Sequence, residues 1–362
     1  MRALMTGQVG VDKGPYLELV RAEAQRHGID LRVFHVGQMM YREAPDVPAG
    51  RILNLPITRL NALRRSAFKE ILREAEQHEH VLVNSHATFR WSHGLFSAFD
   101  FDQLKAFNAD VYLTLMDNVE CVHERLARDH DIDHTLKDIL VWREEELLAT
   151  EIVANIARGY GHFYMIGRGR HSATAPTVYS LLFESARKKA YLSFPMTHVM
   201  DLPDTLARIE AFKNTMRHNF VCFDPADVDE MALHTQALAA MSHGLTTITV
   251  PAADGPVVLK TADIAQVSSD IMGQVYARDF KMIDQSDMIV SLVPELPGGK
   301  PALSSGVERE LHHAYEAGKE VYVVWECRSM PSPFVTKSAT RVFTGVDQAV
   351  DFLRAKGYIN QP

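Results

Sequence analysis

The stretch Tyr276-Ala-Arg-Asp-Phe-Lys-Met-Ile-Asp-Gln-Ser-Asp-Met-Ile-Val290, followed after a loop by Ser304-Ser-Gly-Val-Glu-Arg-Glu-Leu311, decides the fold. It reads as a polar helix end, a buried strand, a loop rich in Gly, Pro and Ser, and a carboxylate at the opening of the next helix. In an open α/β sheet, ligands sit where loops leave the carboxyl ends of the strands. Glu310 therefore falls where a catalytic carboxylate belongs. The alternative reading is a solvated carboxylate favoured by the helix macrodipole. Asp287, directly before the apolar Met-Ile-Val run, reads as a strand-entry cap, and the Pro294–Ser305 loop as a mobile lid.

Outward from this stretch, strands and amphipathic helices alternate along the whole chain. Strands are expected at Arg2–Thr6, Leu31–Val36, His80–Asn84, Val111–Met116 and His162–Ile166, with helices at Tyr16–His27, Ile57–His78 and Trp142–Arg158. A charged segment, Glu184-Ser-Ala-Arg-Lys-Lys189, precedes a fresh strand at Ala190–Ser193. Further strands are expected at Phe220–Phe223, Thr246–Val250, Met288–Val293 and Glu320–Trp325, with a closing helix at Val346–Lys356. Alternating elements of this kind imply mainly parallel sheets with helices on both faces. The expectation is α/β: two tandem doubly wound parallel-sheet domains, residues 1–187 and 188–362.

The spacing Arg278-Asp279-Phe280, Gln285-x-Asp287 and Ser304-Ser305-Gly306-Val307-x-x-Glu310-Leu311 resembles the nucleoside 2-deoxyribosyltransferase superfamily. Within it, the branch of 2'-deoxynucleoside 5'-phosphate N-hydrolases is the more similar, because Ser304 stands where the transferases carry Asp. The resemblance implies a flavodoxin-like domain in which Glu310 attacks the sugar C1', Tyr191 orients it, and Asp279 sits near the base or sugar. It also implies that Ser304, Ser305 and Gly306 hold the 5'-phosphate, that the glycosidase step needs no cofactor, and that the chain forms a homo-oligomer. His312 stands where the family has a small Gly; a bulky imidazole there would narrow the pocket or change the leaving group. The chemistry is coherent by itself, since a carboxylate below an anomeric carbon stabilises or captures an oxocarbenium-like centre.

Near the N-terminus, Gly7-Gln-Val-Gly10-Val-Asp12-Lys13-Gly14 follows a strand and opens a helix, the context of a phosphate cradle. Asp12 replaces the glycine before the Lys, and Gly14-Pro15 stands where a magnesium-holding Ser or Thr is expected. With Val81-Leu-Val-Asn84-Ser-His86 and the segment bearing Arg125 and Asp129, this half resembles adenylate kinase-like P-loop nucleoside monophosphate kinases. The resemblance implies nucleotide binding through Gly7, Gly10, Lys13, Gly14, His86, Arg90, Arg125, Arg128 and Arg143, with ATP and Mg2+ as the cofactor of that half. Asp12, Pro15 and Asn84 depart from the pattern at the metal and phosphate groups, so weak or absent phosphoryl transfer is expected. Phe89-Arg90-Trp91 reads as a base-stacking group or a core pair, and Arg168 with Arg170 as adenine or phosphate ligands or surface arginines.

At 362 residues, 46% hydrophobic and 23% charged, the composition is that of a soluble globular protein. A net charge of −8 argues against a nucleic-acid-coating surface. Cys121, Cys222 and Cys327 lack CxxC spacing, so neither zinc nor a disulfide framework is suggested. His130 and His134 have i,i+4 spacing near Asp131 and Asp133 but no HExxH pattern, and His93 belongs to a scattered group; no metal site is expected. A reducing, cytoplasmic setting without a membrane span follows. Three functions remain open: a nucleotide N-glycosidase with a nucleotide-binding N-terminal domain, a nucleotide-sensing defence or regulatory protein without turnover, and a monophosphate kinase with a vestigial C-terminal domain. Small-molecule nucleotides are the partners in each.

Overall fold

A computed structural model describes residues 1–91, 94–130, 133–196, 199–252 and 255–359, apart from the Trp91 side chain. Along the chain the first strands are β1 (Arg2–Thr6), β2 (Leu31–His35), β3 (His80–Asn84), β4 (Thr88–Trp91), β5 (Gly94–Ser97), β6 (Val111–Met116) and β7 (Phe163–Gly167). They are followed by β8 (Lys189–Ser193), β9 (Val221–Phe223), β10 (Thr247–Ala252), β11 (Gly255–Lys260), β12 (Met288–Pro294), β13 (Glu320–Glu326) and β14 (Arg341–Phe343). The residues fall into two compact units: Met1–Leu182 with Ala226–Val275, and Phe183–Pro225 with Tyr276–Pro362.

The first unit is built on a five-stranded sheet ordered β2-β3-β1-β6-β7, and every pairing is parallel. Its strands are apolar runs, Ala3-Leu-Met5 and Val81-Leu-Val83 among them, because helices cover both faces. β4 and β5 form a small antiparallel ribbon beside this sheet. The second unit carries a five-stranded parallel sheet ordered β14-β13-β12-β8-β9. Counted within the unit, that order is 2-1-3-4-5, the flavodoxin-like arrangement, whose topological switch point lies between its first and third strands. Here those strands are β8 and β12.

Two elements differ from expectation. The Thr246–Val250 segment does not join a parallel sheet; as β10 it pairs antiparallel with β11, with Val250 opposite Val257. Its alternation of Thr with Ile and Val buries one face only, which suits a two-stranded ribbon and not a covered central strand. Residues 226–275, including that ribbon, also pack in the first unit, so a linear division at residue 187 does not describe the units. An ion pair ties this segment in: Arg143 donates to both oxygens of Glu230 at 2.7 and 3.0 Å, and Glu230 is fully buried. Glu230 also accepts from the Val119 amide at 2.8 Å, and Gln274 donates to the Leu140 carbonyl at 3.0 Å. No helix among the described residues is long and apolar enough to cross a membrane.

Candidate functional site

In the second unit, β8 sends Tyr191 and Ser193 to the same face because side chains alternate along a strand. The helix Ser305–Glu316 buries Val307, Leu311 and Ala314, an i, i+4, i+7 stripe. Glu310 lies within that stripe at i+3. It stands in the second turn and not at the helix start, so burial, more than the macrodipole, governs its chemistry. Its two oxygens are taken separately: Tyr191 Oη–H donates to Oε1 at 2.9 Å and Ser193 Oγ–H to Oε2 at 2.6 Å. Tyr191 and Ser193 are fully buried. All three groups meet at the switch point of the sheet.

Asp279 approaches from the helix Thr261–Asp284 and is buried, with Arg278 Nε 3.7 Å from its Oδ1. Burial and then the charge of Asp279 push the Glu310 carboxyl up to about 8 against the two hydroxyl donors. Burial likewise raises Asp279 to about 6, against the pull of Arg278. The pair is therefore two carboxyl groups competing to stay neutral. Packing fixes their approach: the Phe280 ring stacks on His313 at 4.3 Å, and His313 Nε2 lies 2.8 Å from Asp284.

Ser304 is the N-cap of the Glu310 helix, its Oγ accepting from the Val307 amide at 3.2 Å. Ser305 and Gly306 follow as exposed first-turn residues, and a Cβ at Gly306 would meet only Ser304 Oγ. Asp287 Oδ2 accepts from the Lys189 amide at 2.8 Å, as a strand-entry cap does. The Pro294–Ser305 loop folds back on itself, with the Leu296 amide donating to Lys300 and the Ala302 amide to Pro294. His312 points outward, more than half exposed, with Nε2 3.2 Å from Glu316. It does not narrow the Glu310 face.

In the first unit, the loop after β1 turns at Gly7, where φ is 145° and a Cβ would stand 2.7 Å from the Leu115 carbonyl oxygen. Gly10 lies further along the same loop, and the half-buried Gly14 is the second residue of the helix Lys13–Arg26. Asp12 adopts the left-handed conformation at φ 58°, where glycine is the least strained residue. Lys13 is buried and donates to the Gly7 carbonyl at 2.5 Å; His86 Nδ1–H reaches the same oxygen at 2.7 Å. Burial draws the Lys13 ammonium down to about 8, though Glu146 and Asp12 oppose this, and burial with Lys13 nearby holds His86 well below its ordinary range.

Arg90, Arg125, Arg128 and Arg143 each have a carboxylate partner. Arg125 donates to Asp117 at 2.7 Å, Arg90 bidentately to Glu145, Arg128 to Glu124 and Asp129, and Arg143 to Glu230. Arg168 is buried and donates to the Val11 carbonyl at 2.6 Å, whereas Arg170 is exposed. Phe89 is a core residue; the Trp91 side chain, His93 and Asp131 lie outside the described residues. His134 meets Trp142 edge-on.

A magnesium-bound triphosphate fits this loop poorly. Gly14 and Pro15 offer no hydroxyl, the nearby Thr6 hydroxyl is engaged by Thr114 and Thr150, and Asp117 is paired with Arg125. The loop amides and Lys13 retain the chemistry of an anion cradle.

Sequence reasoning missed two groups. Ser193 carried a signal, its i+2 spacing from Tyr191. Glu146, fully buried, accepts from the amides of Gly7, Ala87 and Thr88 and from the Thr88 hydroxyl, all at 2.7–3.0 Å. Nothing near it in sequence marks that role.

Comparison with known proteins gives the following. Residues 6–140 match the family model described as an AAA domain. Over 140 residues the chain is 27% identical to the adenylate kinase of Pyrococcus furiosus, spanning 36% of this chain and 68% of that protein. The N-terminal half is similar to P-loop kinases. Among solved structures, a 2-deoxyribosyltransferase from Bacillus psychrosaccharolyticus is 13% identical and aligns over 48% of this chain and 98% of its own, with a TM-score of 0.29. The tunicamycin resistance protein of Deinococcus radiodurans is 13% identical over 50% of this chain and 93% of its own, with a TM-score of 0.32.

Proposed function

We propose that the second unit cleaves or transfers the N-glycosidic bond of a nucleoside 5'-monophosphate. The observation that carries this reading is the Glu310 carboxylate, gripped by Tyr191 and Ser193 at the switch point beside the carboxyl group of Asp279. In this reading ionised Glu310 attacks C1', the C–N bond breaks, and its electron pair leaves with the base. Asp279 supplies the proton that the departing base takes up. Water or a second base then releases the sugar from Glu310. The amides of Ser305 and Gly306, left without intrahelical partners at a helix start, suit the 5'-phosphate, with Ser304 beside them. No cofactor takes part.

The first unit binds a nucleotide through the β1 loop and Lys13 without efficient phosphoryl transfer. The pairing of Arg90, Arg125, Arg128 and Arg143 with carboxylates supports binding over transfer, as does the missing hydroxyl at Gly14-Pro15. This also favours the sensing reading for that unit. Incubation with a panel of nucleotides, with and without ATP, followed by chromatography of released bases, tests the assignment. Base release that survives Lys13→Ala and disappears in Glu310→Gln is expected. Equal release by Glu310→Gln and the natural chain would end it.

A further inference from the structure

The first unit holds a cavity of about 250 Å³ at the carboxyl ends of β6 and β7, bordered by Arg168 and Arg170. Parallel sheets place ligands at such ends. Its lining mixes the apolar Leu233, Val250 and Pro251 with the carboxyl groups of Asp117, Glu120 and Asp229. Glu120 is the telling group. It is 5% exposed, and its Oε2 has no hydrogen-bond partner among the described residues. A buried carboxyl oxygen left without a donor is costly unless something entering the cavity supplies one.

We propose that this cavity binds a compact amine, its ammonium or guanidinium head on Glu120 and Asp229 and its apolar body against Leu233, Val250 and Pro251. The surroundings of Glu120 favour a cation over an anion or a neutral polar group. Glu230 and Asp117 stand near it as negative charge, each holding an arginine of its own, Arg143 and Arg125, while Arg168 bonds Val11 and Ser172 and lies 3.7 Å from Asp117. Arg170 and His171 also line the cavity, and both are exposed, unlike Glu120. Burial, then Glu230, raises the Glu120 carboxyl to about 8, so near neutral pH it holds a proton that a docking cation displaces. The site is distinct from the Glu310 chemistry, and its failure would leave that reading untouched.

Titration calorimetry of the full chain with agmatine and benzylamine, with benzyl alcohol as the neutral isostere, tests the proposal. Both amines should bind, and benzyl alcohol should bind about tenfold more weakly or not at all. In buffers of different ionisation enthalpy, agmatine binding should release a proton below about pH 8, because its guanidinium stays charged while Glu120 gives its proton up. Glu120→Gln should weaken agmatine about tenfold or more and abolish proton release. Should that variant misfold, Asp229→Asn at the more open edge should still weaken agmatine severalfold. Absence of amine binding up to about 10 mM overturns the proposal. So does unchanged affinity in folded Glu120→Gln, or equal affinity for benzyl alcohol and benzylamine.

Discussion

Two hydroxyls on one strand face hold one carboxylate, and each takes a different oxygen. This fixes the plane of Glu310 as well as its position, a tighter constraint than one bond gives. Hydrogen bonds to a charged acceptor are worth about 1.5–3 kcal/mol, or roughly ten- to hundredfold in rate where they orient the attacking group. Tyr191→Phe and Ser193→Ala should each lower kcat for base release by about that factor, with the double variant falling short of the product because both act on one group. A double-mutant cycle on kcat checks this; full activity in both single variants would remove their orienting role. The proton inventory gives a second expectation. Burial raises Asp279 to about 6 and Glu310 to about 8, so between those values the pair carries a single proton, held mainly by Glu310, and the attacking form is the minor one in which that proton has moved to Asp279. Attack needs one ionised carboxylate and departure one protonated acid. The kcat/KM profile should therefore peak between about pH 6 and 8, falling below as both groups take protons and above as both lose them. A profile flat across that window would contradict it. Tyr191, Asp279 and Glu310 were legible because their types and spacing resemble a known motif. Ser193 was missed because a serine inside an apolar strand carries no charge, and its i+2 spacing from Tyr191 is the one mark it bears.

The helix Ser305–Glu316 shows how an element converts pattern into a site. Its apolar stripe docks Val307, Leu311 and Ala314, and that docking holds Glu310 half-buried beside them. An acidic residue at a stripe position is itself a sequence signal, readable from the 3.6-residue period without any resemblance. Ser304 has two roles to separate, cap and proposed phosphate ligand. Ser304→Ala removes the bond to the Val307 amide and should cost about 1 kcal/mol of stability, whereas Ser304→Gly should cost only a few tenths. If the hydroxyl also holds phosphate, both variants should raise KM for a nucleoside monophosphate to a similar extent despite unequal stabilities. Urea denaturation and steady-state kinetics separate the two; KM changes that track stability would leave the cap as its only role. The β10–β11 ribbon marks a limit of local reading. Thr247–Ala252 has the composition of any strand, and only its long-range partner, Gly255–Lys260, decides the sheet it joins.

At the scale of the molecule, the chain crosses between its two units three times, a path that composition along the chain does not reveal. The parallel, helix-covered character of each sheet was accessible, because β and α segments alternate along the chain. The return of residues 226–275 was not, because it depends on Glu230 finding Arg143, 87 positions away in sequence. Burial alone would weaken the charge on Arg143, yet Glu230 holds that guanidinium above its ordinary value. Such a pair contributes little net stability relative to apolar packing, but removing one partner leaves a buried charge without its counter-ion. Glu230→Gln should accordingly destabilise the first unit by about 3–5 kcal/mol, while replacing Arg143 and Glu230 together by Met should recover most of that loss. Hydrogen exchange should show Met231–Ser242 losing protection first in Glu230→Gln, because the Val119 amide and Arg143 both let go of the residue that anchors its start. Denaturant midpoints unchanged by the single substitution would mean that something other than this ion pair brings residues 226–275 back to the first unit.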